Sequence, residues 1–158
     1  MKKILLVLML AAGVSNVQAQ IKSVSQLAGY STQTFNQVKD AMEKGYWKKY
    51  EDGKMDSLDY TRWVPVNMNE KNVGDNVMCF YKKKDKMVSY IVLQTNNVAF
   101  RNQCRVEVKK GGYQIIGNEK KKEEIKESYL KGKCNVTIFQ GKQNPTDPIT
   151  YLIGAKML

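Results

Sequence analysis

"NVMCFYKKKDKMVSYIVL", residues 76–93, has a later counterpart, "NVTIFQGKQNPTDPITYLIGA", residues 135–155. Both open Asn-Val, carry a Phe four residues after the Asn (Phe80 and Phe139), cross a polar tip, and close on a hydroxyl residue, a Tyr and aliphatics. β-Rich stretches on either side of a tip made of lysines, or of Gly, Pro and Asp, read as paired antiparallel strands. The agreement extends upstream. "FNQVKDAMEKGY" (Phe35 to Tyr46) matches "FRNQCRVEVKKGGY" (Phe100 to Tyr113) with two residues inserted, and "SLDYTRW" around Tyr60 falls on "IKESYLKG" around Tyr129. Collinear agreement over four segments is the mark of an internal duplication, with one longer insertion near Val66 to Asp75.

Each unit then has two witnesses. In the first, Phe35, Val38 and Met42 recur at helical spacing, Ser31 or Thr32 supplies a capping oxygen, and Gly45 ends the helix. In the second, Asn96 or Asn97 caps, Phe100, Cys104 and Val108 form the stripe, and Gly111-Gly112 stops it. Cys104, Val106 and Val108 also alternate as a strand would, and the partner unit favours the helix. Four strands follow in each unit: 47–51, 57–66, 76–83 and 87–94, then 114–118, 124–130, 134–140 and 149–156. Glu51-Asp52-Gly53, Lys82 to Lys86, Lys131-Gly132-Lys133 and Gly141 to Pro148 have the chemistry of connections. Short links favour antiparallel neighbours. The expected fold is α+β: two tandem repeats, residues 20–95 and 96–158, each one helix packed on a four-stranded antiparallel meander.

Residues 1–19 read as a signal peptide of bacterial style. Lys2-Lys3 precede the apolar run Ile4 to Ala12, and Val17-Gln18-Ala19 forms a small-residue ending. An exported product, periplasmic or extracellular, beginning at Gln20 is expected, with no later run apolar for long enough to span a membrane. Without the leader's two lysines, 24 basic residues face 15 acidic ones, a net charge of +9. Outside the cytoplasm such a charge meets anionic lipids, acidic glycans and acidic protein faces rather than nucleic acid.

No histidine is present, and the three cysteines, Cys79, Cys104 and Cys134, form no CxxC pair. Metal, cofactor and cysteine-nucleophile readings therefore lack their ligands and base. Cys79 reads as a buried thiol. Cys104 and Cys134 belong to the helix and third strand of one unit, so a Cys104–Cys134 disulfide closing a loop of about thirty residues is expected. No GxSxG, phosphate-cradling glycine loop or Ser/His/Asp set occurs, so an enzyme is not expected.

Aromatic residues crowd the first unit. They serve either cross-strand packing or an exposed platform, and in the second case Tyr60, Trp63 and Tyr81 are the candidate contacts for a protein partner. Lys82, Lys83, Lys84 and Lys86 form either a solvated tip or an anion-binding one for an acidic envelope component. Lys120 to Lys122 read as a second solvated turn. Asp56-Ser57-Leu58 resembles the acceptor triplet of a Bacteroidetes O-glycosylation system, and Asn135-Val136-Thr137 is a formal N-glycosylation sequon lying in a strand.

Two units of helix plus four-stranded sheet behind a leader resemble the β-lactamase inhibitory protein architecture, and one unit resembles the cystatin type. The cystatin Gln-Val-Val-Ala-Gly loop is absent, Pro65-Val66-Asn67 being the nearest text. The inhibitory proteins' units open with a helical hairpin, where one helix per unit is visible here. The resemblance implies an inhibitor-like binder by analogy, and it transfers no site residues.

Overall fold

The computed structural model describes residues 21–67, 75–142 and 148–158. The leader, most of the insertion after Val66 and much of the connection from Gly141 to Pro148 lie outside these residues. Three helices, α1 (Val24–Tyr30), α2 (Phe35–Glu43) and α3 (Val98–Lys110), accompany eight strands. The strands are β1 (Trp47–Met55), β2 (Leu58–Pro65), β3 (Asn76–Tyr81), β4 (Val88–Thr95), β5 (Gln114–Lys121), β6 (Glu124–Lys131), β7 (Cys134–Gly141) and β8 (Thr150–Met157).

All eight strands form one antiparallel sheet, in the order β1-β2-β3-β4-β8-β7-β6-β5. Strands consecutive in sequence pair with each other on either side of a β4–β8 seam, which runs from Ile91 opposite Ala155 to Thr95 opposite Tyr151. Alternation sends Val77, Cys79, Ile91, Leu93, Val136, Ile138, Ile153 and Ala155 into a single core under the helices.

The helices form where caps and apolar spacing coincide. In α3, Asn97 accepts from Phe100 N–H at 3.0 Å; Cys104 and Val108 are buried, and Val106 is 50% exposed, a helical phase rather than a strand's. α2 is capped by Thr34 rather than by Ser31 or Thr32, because Thr34 places Gln37 three residues on to complete a capping box. Ser31 instead closes α1, its hydroxyl donating to the Ala28 carbonyl at 2.8 Å.

α1 has no counterpart in the sequence reading. Val24 and Leu27 are almost fully buried, and the helix packs over β4, β8 and β7 and against α3. Its N-terminus is held from α3: Glu107 accepts from Val24 N–H (2.8 Å), Ser25 N–H (2.9 Å) and the Ser25 hydroxyl (2.6 Å). A carboxylate there satisfies otherwise orphaned donors and meets the positive end of the helix dipole. Arg105, two residues earlier, forms a bidentate pair with Glu127 on β6.

The structure corrects two expected turns. Glu51-Asp52-Gly53 lies inside β1, and the chain reverses at Asp56-Ser57 with Asp56 in the left-handed region (φ 54). Gly53 answers to a close approach, not a turn: a Cβ there would sit 2.5 Å from the Tyr60 ring. Lys120 and Lys121 belong to β5, and only Lys122 (φ 50) turns. Tyr90 and Tyr151, matched in the sequence comparison, face opposite sides of the sheet. Tyr151 joins the helix-side core under Arg101, whereas Tyr90 lies across Gly154 on the other face.

Glu107→Gln should lower the unfolding free energy by about 1–2 kcal/mol in a urea titration, since it weakens a three-donor, charge-assisted cap. A loss below about 0.3 kcal/mol would show that α1 is held by its apolar contacts alone.

Candidate functional site

One face of the sheet lies under the helices; the other carries no helix among the described residues. Because successive side chains alternate, the partners of the core positions point to this second face. Tyr60 pairs with Phe80, and Phe80 with Tyr90, so three rings line up across β2, β3 and β4. Their centroids are 5.6 Å and 6.0 Å apart, tilted rather than stacked. Edge and offset arrangements suit the ring quadrupoles. Phe80 is 7% exposed although no helix among the described residues lies over it, its ring packing between those of Tyr60 and Tyr90, and burial pushes the Tyr90 phenol up from its ordinary pKa. The next row, Arg62, Met78, Val92 and Gly154, continues the face across the seam.

Beside these rings the face opens into a cavity of about 330 Å³, whose floor includes Met78, Val92 and Leu152. Two glycines shape it. A Cβ on Gly154 would meet the Tyr90 ring at 2.5 Å, and one on Gly141 would meet the Phe139 ring at 2.7 Å. Their absence lets both rings lie down on the sheet. A larger depression, about 520 Å³, runs along Val106 and Lys110, but it is open and its carboxylate, Glu107, already caps α1. Among the described residues no cluster of three or more His, Cys, Asp or Glu could hold a metal ion, and no helix is long and apolar enough to cross a membrane.

The structure separates the three aromatic residues expected to act together. Trp63 is 0% exposed, its indole N–H donating to Glu43 at 3.3 Å, so it belongs to the core and offers no contact surface. Tyr81 stacks on Phe35 with centroids 3.9 Å apart, again on the helix side. Tyr60 alone faces the helix-free side, where Phe80 and Tyr90 join it.

Lys82, Lys83, Lys84 and Lys86 do form an exposed tip between β3 and β4. The base of that tip is pinned: Lys86 C=O accepts from Phe35 N–H at 2.7 Å, and Val88 N–H donates to Gln33 C=O at 3.1 Å. The Asp85 carboxylate accepts from Met87 N–H, an internal turn bond. Asp56 and Ser57 are exposed at the β1–β2 turn, whereas Asn135 is buried in β7.

The expected Cys104–Cys134 disulfide is not formed; all three cysteines are free thiols. Cys134 lies beside Tyr113, just past the end of α3, whereas Cys104 sits mid-helix, about 9 Å back along the axis from Lys110. Burial pushes Cys79 and Cys104 up to about 12, and Tyr113 likewise to about 12.

Comparison with protein-family models, with curated proteins and with solved structures gave no match.

Three outcomes follow. With thiols near 12, the thiolate fraction at pH 8 is about one in 10⁴, so Cys79 and Cys104 should resist a thiol reagent in the native protein and react fully in denaturant without reductant. Failure to count three thiols in denaturant would restore the disulfide. The same raised values mean that the folded state keeps protons the unfolded chain gives up. That stability is complete below about 9 and is lost as pH climbs toward about 12. Trp63→Ala should cost about 3–5 kcal/mol in chemical denaturation, as removal of a fully buried ring does.

Proposed function

We propose that the protein is an exported, non-catalytic binding module, and that a protein partner docks on the helix-free face through the aromatic row Tyr60, Phe80 and Tyr90. One observation carries this reading: three adjacent strands present aligned aromatic rings on the one sheet face that no described helix covers. Tyr and other aromatics anchor interfaces because they remove a large apolar area from water while losing few rotamers. Export rests on the Lys2-Lys3 head, apolar run and Ala19 ending of the first residues.

The proposal also takes residues 20–95 and 96–158 as two copies of one unit. Both halves contain a capped helix followed by four strands, both first hairpins turn on a left-handed non-glycine residue (Asp56, Lys122), and both first strands are bulged (at Tyr50 and Ile116). The opposite facings of Tyr90 and Tyr151 mark a one-residue shift in the last strand, and α1 belongs to the first half only. The likeness in layout to β-lactamase inhibitory proteins makes an enzyme one sort of partner to look for.

Immobilised chain from Gln20 onward should capture a discrete envelope protein that survives a wash at about 0.5 M salt, where charge contacts are screened to a few ångströms. Tyr60→Ala should cut that capture at least tenfold while shifting the urea midpoint little. Capture unchanged by Tyr60→Ala would sink the site.

A second reading rests on the exposed Lys82 to Lys86 tip, which suits an acidic glycan or lipid. Its binding would fall steeply with salt and vanish when Lys82, Lys83 and Lys84 become Gln. Retention of acidic vesicles by that triple variant would end this reading.

A further inference from the structure

We infer that Ser57, at the tip of the β1–β2 hairpin, is an O-glycosylation site whose hydroxyl accepts a sugar from a polyprenyl-diphosphate-linked donor in the envelope. The inference rests on the export proposed above; it needs neither the docking face nor Tyr60.

The chain offers two short acceptor patterns, and the fold separates them. Asn135-Val136-Thr137 lies inside β7, paired on one side with β6 and on the other with β8, and Asn135 is 9% exposed, so a transferase does not reach its amide. Asp56-Ser57-Leu58 spans a two-residue loop. Met55 pairs with Leu58, and Asp56 and Ser57 stand beyond this last pair, both exposed. β1 is an edge strand, so one flank of the hairpin meets no further strand among the described residues. Glycans are bulky and need surface positions, and exposed loop tips accept added groups because no buried backbone bond is disturbed.

The turn itself does not call for these residues. The counterpart hairpin β5–β6 turns on Lys122-Glu123, with Lys122 in the same left-handed region (φ 50) as Asp56 (φ 54). The β6–β7 hairpin turns on Gly132-Lys133, with Gly132 at φ 57. Of these three turns, Asp56-Ser57 alone carries a hydroxyl, and it is the one place in the chain where Asp precedes Ser or Thr. A turn Asp commonly commits its carboxylate to nearby backbone, as Asp85 does to Met87 N–H, while Asp52 accepts from Lys49 and Thr61. Among the described residues the Asp56 carboxylate and the Ser57 hydroxyl are committed to no side-chain hydrogen bond or ion pair.

Three consecutive residues thus present a free carboxylate, a free hydroxyl and, in Leu58, a half-buried aliphatic side chain. To a transferase these are a charged handle, a nucleophile and an apolar contact. In the transfer the Ser57 oxygen bonds to the anomeric carbon, and the bond from that carbon to the donor's phosphate oxygen breaks. The lipid diphosphate leaves with the electron pair, the hydroxyl proton passes to a base of the transferase, and nothing is oxidised or reduced. A serine hydroxyl is a weak nucleophile unless a base assists it. Among the described residues none of this chain's groups plays that part for Ser57, as befits an acceptor acted on by another enzyme.

Intact-mass and fragment-ion spectrometry of the chain purified from the envelope of the cell that makes it test this. The wild-type chain should begin at Gln20 and exceed its polypeptide mass by a sum of whole sugar residues, with the added mass on Ser57, a readout that needs no variant to fold. Ser57→Ala should lose all of that mass, and Ser57→Thr should keep it. Asp56→Asn should lose it although the hydroxyl remains, since Asn suits the left-handed turn but lacks the charge. Tyr60→Ala should leave the sugar in place. Urea midpoints of the two turn variants should stay near wild type, which separates lost recognition from lost folding. A bare polypeptide beginning at Gln20, added mass confined to another residue, or a Ser57→Ala chain that keeps its sugar would each overturn the site and leave the export reading standing. A chain still carrying residues 1–19 would overturn both.

Discussion

The two halves of the molecule become one body through five backbone partnerships, Ile91 with Ala155 through Thr95 with Tyr151, where β4 meets β8. An eight-stranded sheet built this way has two faces to account for. Among the described residues its helices number three, one of them seven residues long. They suffice for one face. α1 sits over the seam itself, and its N-terminus is secured by Glu107 of α3, a residue from the other half of the chain. The same helix reaches the sheet through Arg105 to Glu127 and Arg101 to Gln140. The polar ties over the core thus run between halves or between helix and sheet, and they fix how the helices lie without adding apolar contact. Among the described residues no helix covers the second face, where the rings of Tyr60, Phe80 and Tyr90 lie against one another.

Much of this was legible in the sequence. Eight strands and the type of α2 and α3 follow from alternation and spacing, because those signals are local and repeated in two places; for the cap of α3 the sequence offered Asn96 or Asn97, and the structure uses Asn97. α1 escaped because seven residues give only two buried positions, Val24 and Leu27, too few for a period to show. The turn at Glu51-Asp52-Gly53 was misjudged because glycine signals two different needs with one letter: a backbone turn, or a ring lying against the backbone. Gly53 serves the second need for Tyr60.

The candidate site was only half readable, and the reason is parity. Tyr60 and Trp63 are three apart on one strand, so they cannot share a face, and the sequence already said so. What it did not say was which face the helices take. That depends on α1 and α3 arriving over the same side, a matter of chain path. Tyr81 needed the register of β2 on β3, which puts Phe80 rather than Tyr81 beside Tyr60. The disulfide expectation failed for a similar cause: one helix over one sheet brings two cysteines into the same unit, but not to the same level along the helix axis.

On the uncovered face the glycines explain more than the aromatics do. Bare aromatic rings standing up from a sheet would make an apolar patch that invites aggregation. Here Tyr60 lies against Gly53, Tyr90 against Gly154 and Phe139 against Gly141, so each ring turns one side to backbone and hides much of its area. Rings held flat leave lower ground between them. The cavity over Met78, Val92 and Leu152 is therefore a consequence of how this face limits its own exposure, and not an accident of loose packing. A substitution at Gly154 or Gly141 that lifts Tyr90 or Phe139 should change both properties together: it exposes aromatic area and alters the cavity. Exposure and cavity shape on this face depend on the same two ring-over-glycine contacts, whereas Tyr60 over Gly53 affects exposure alone.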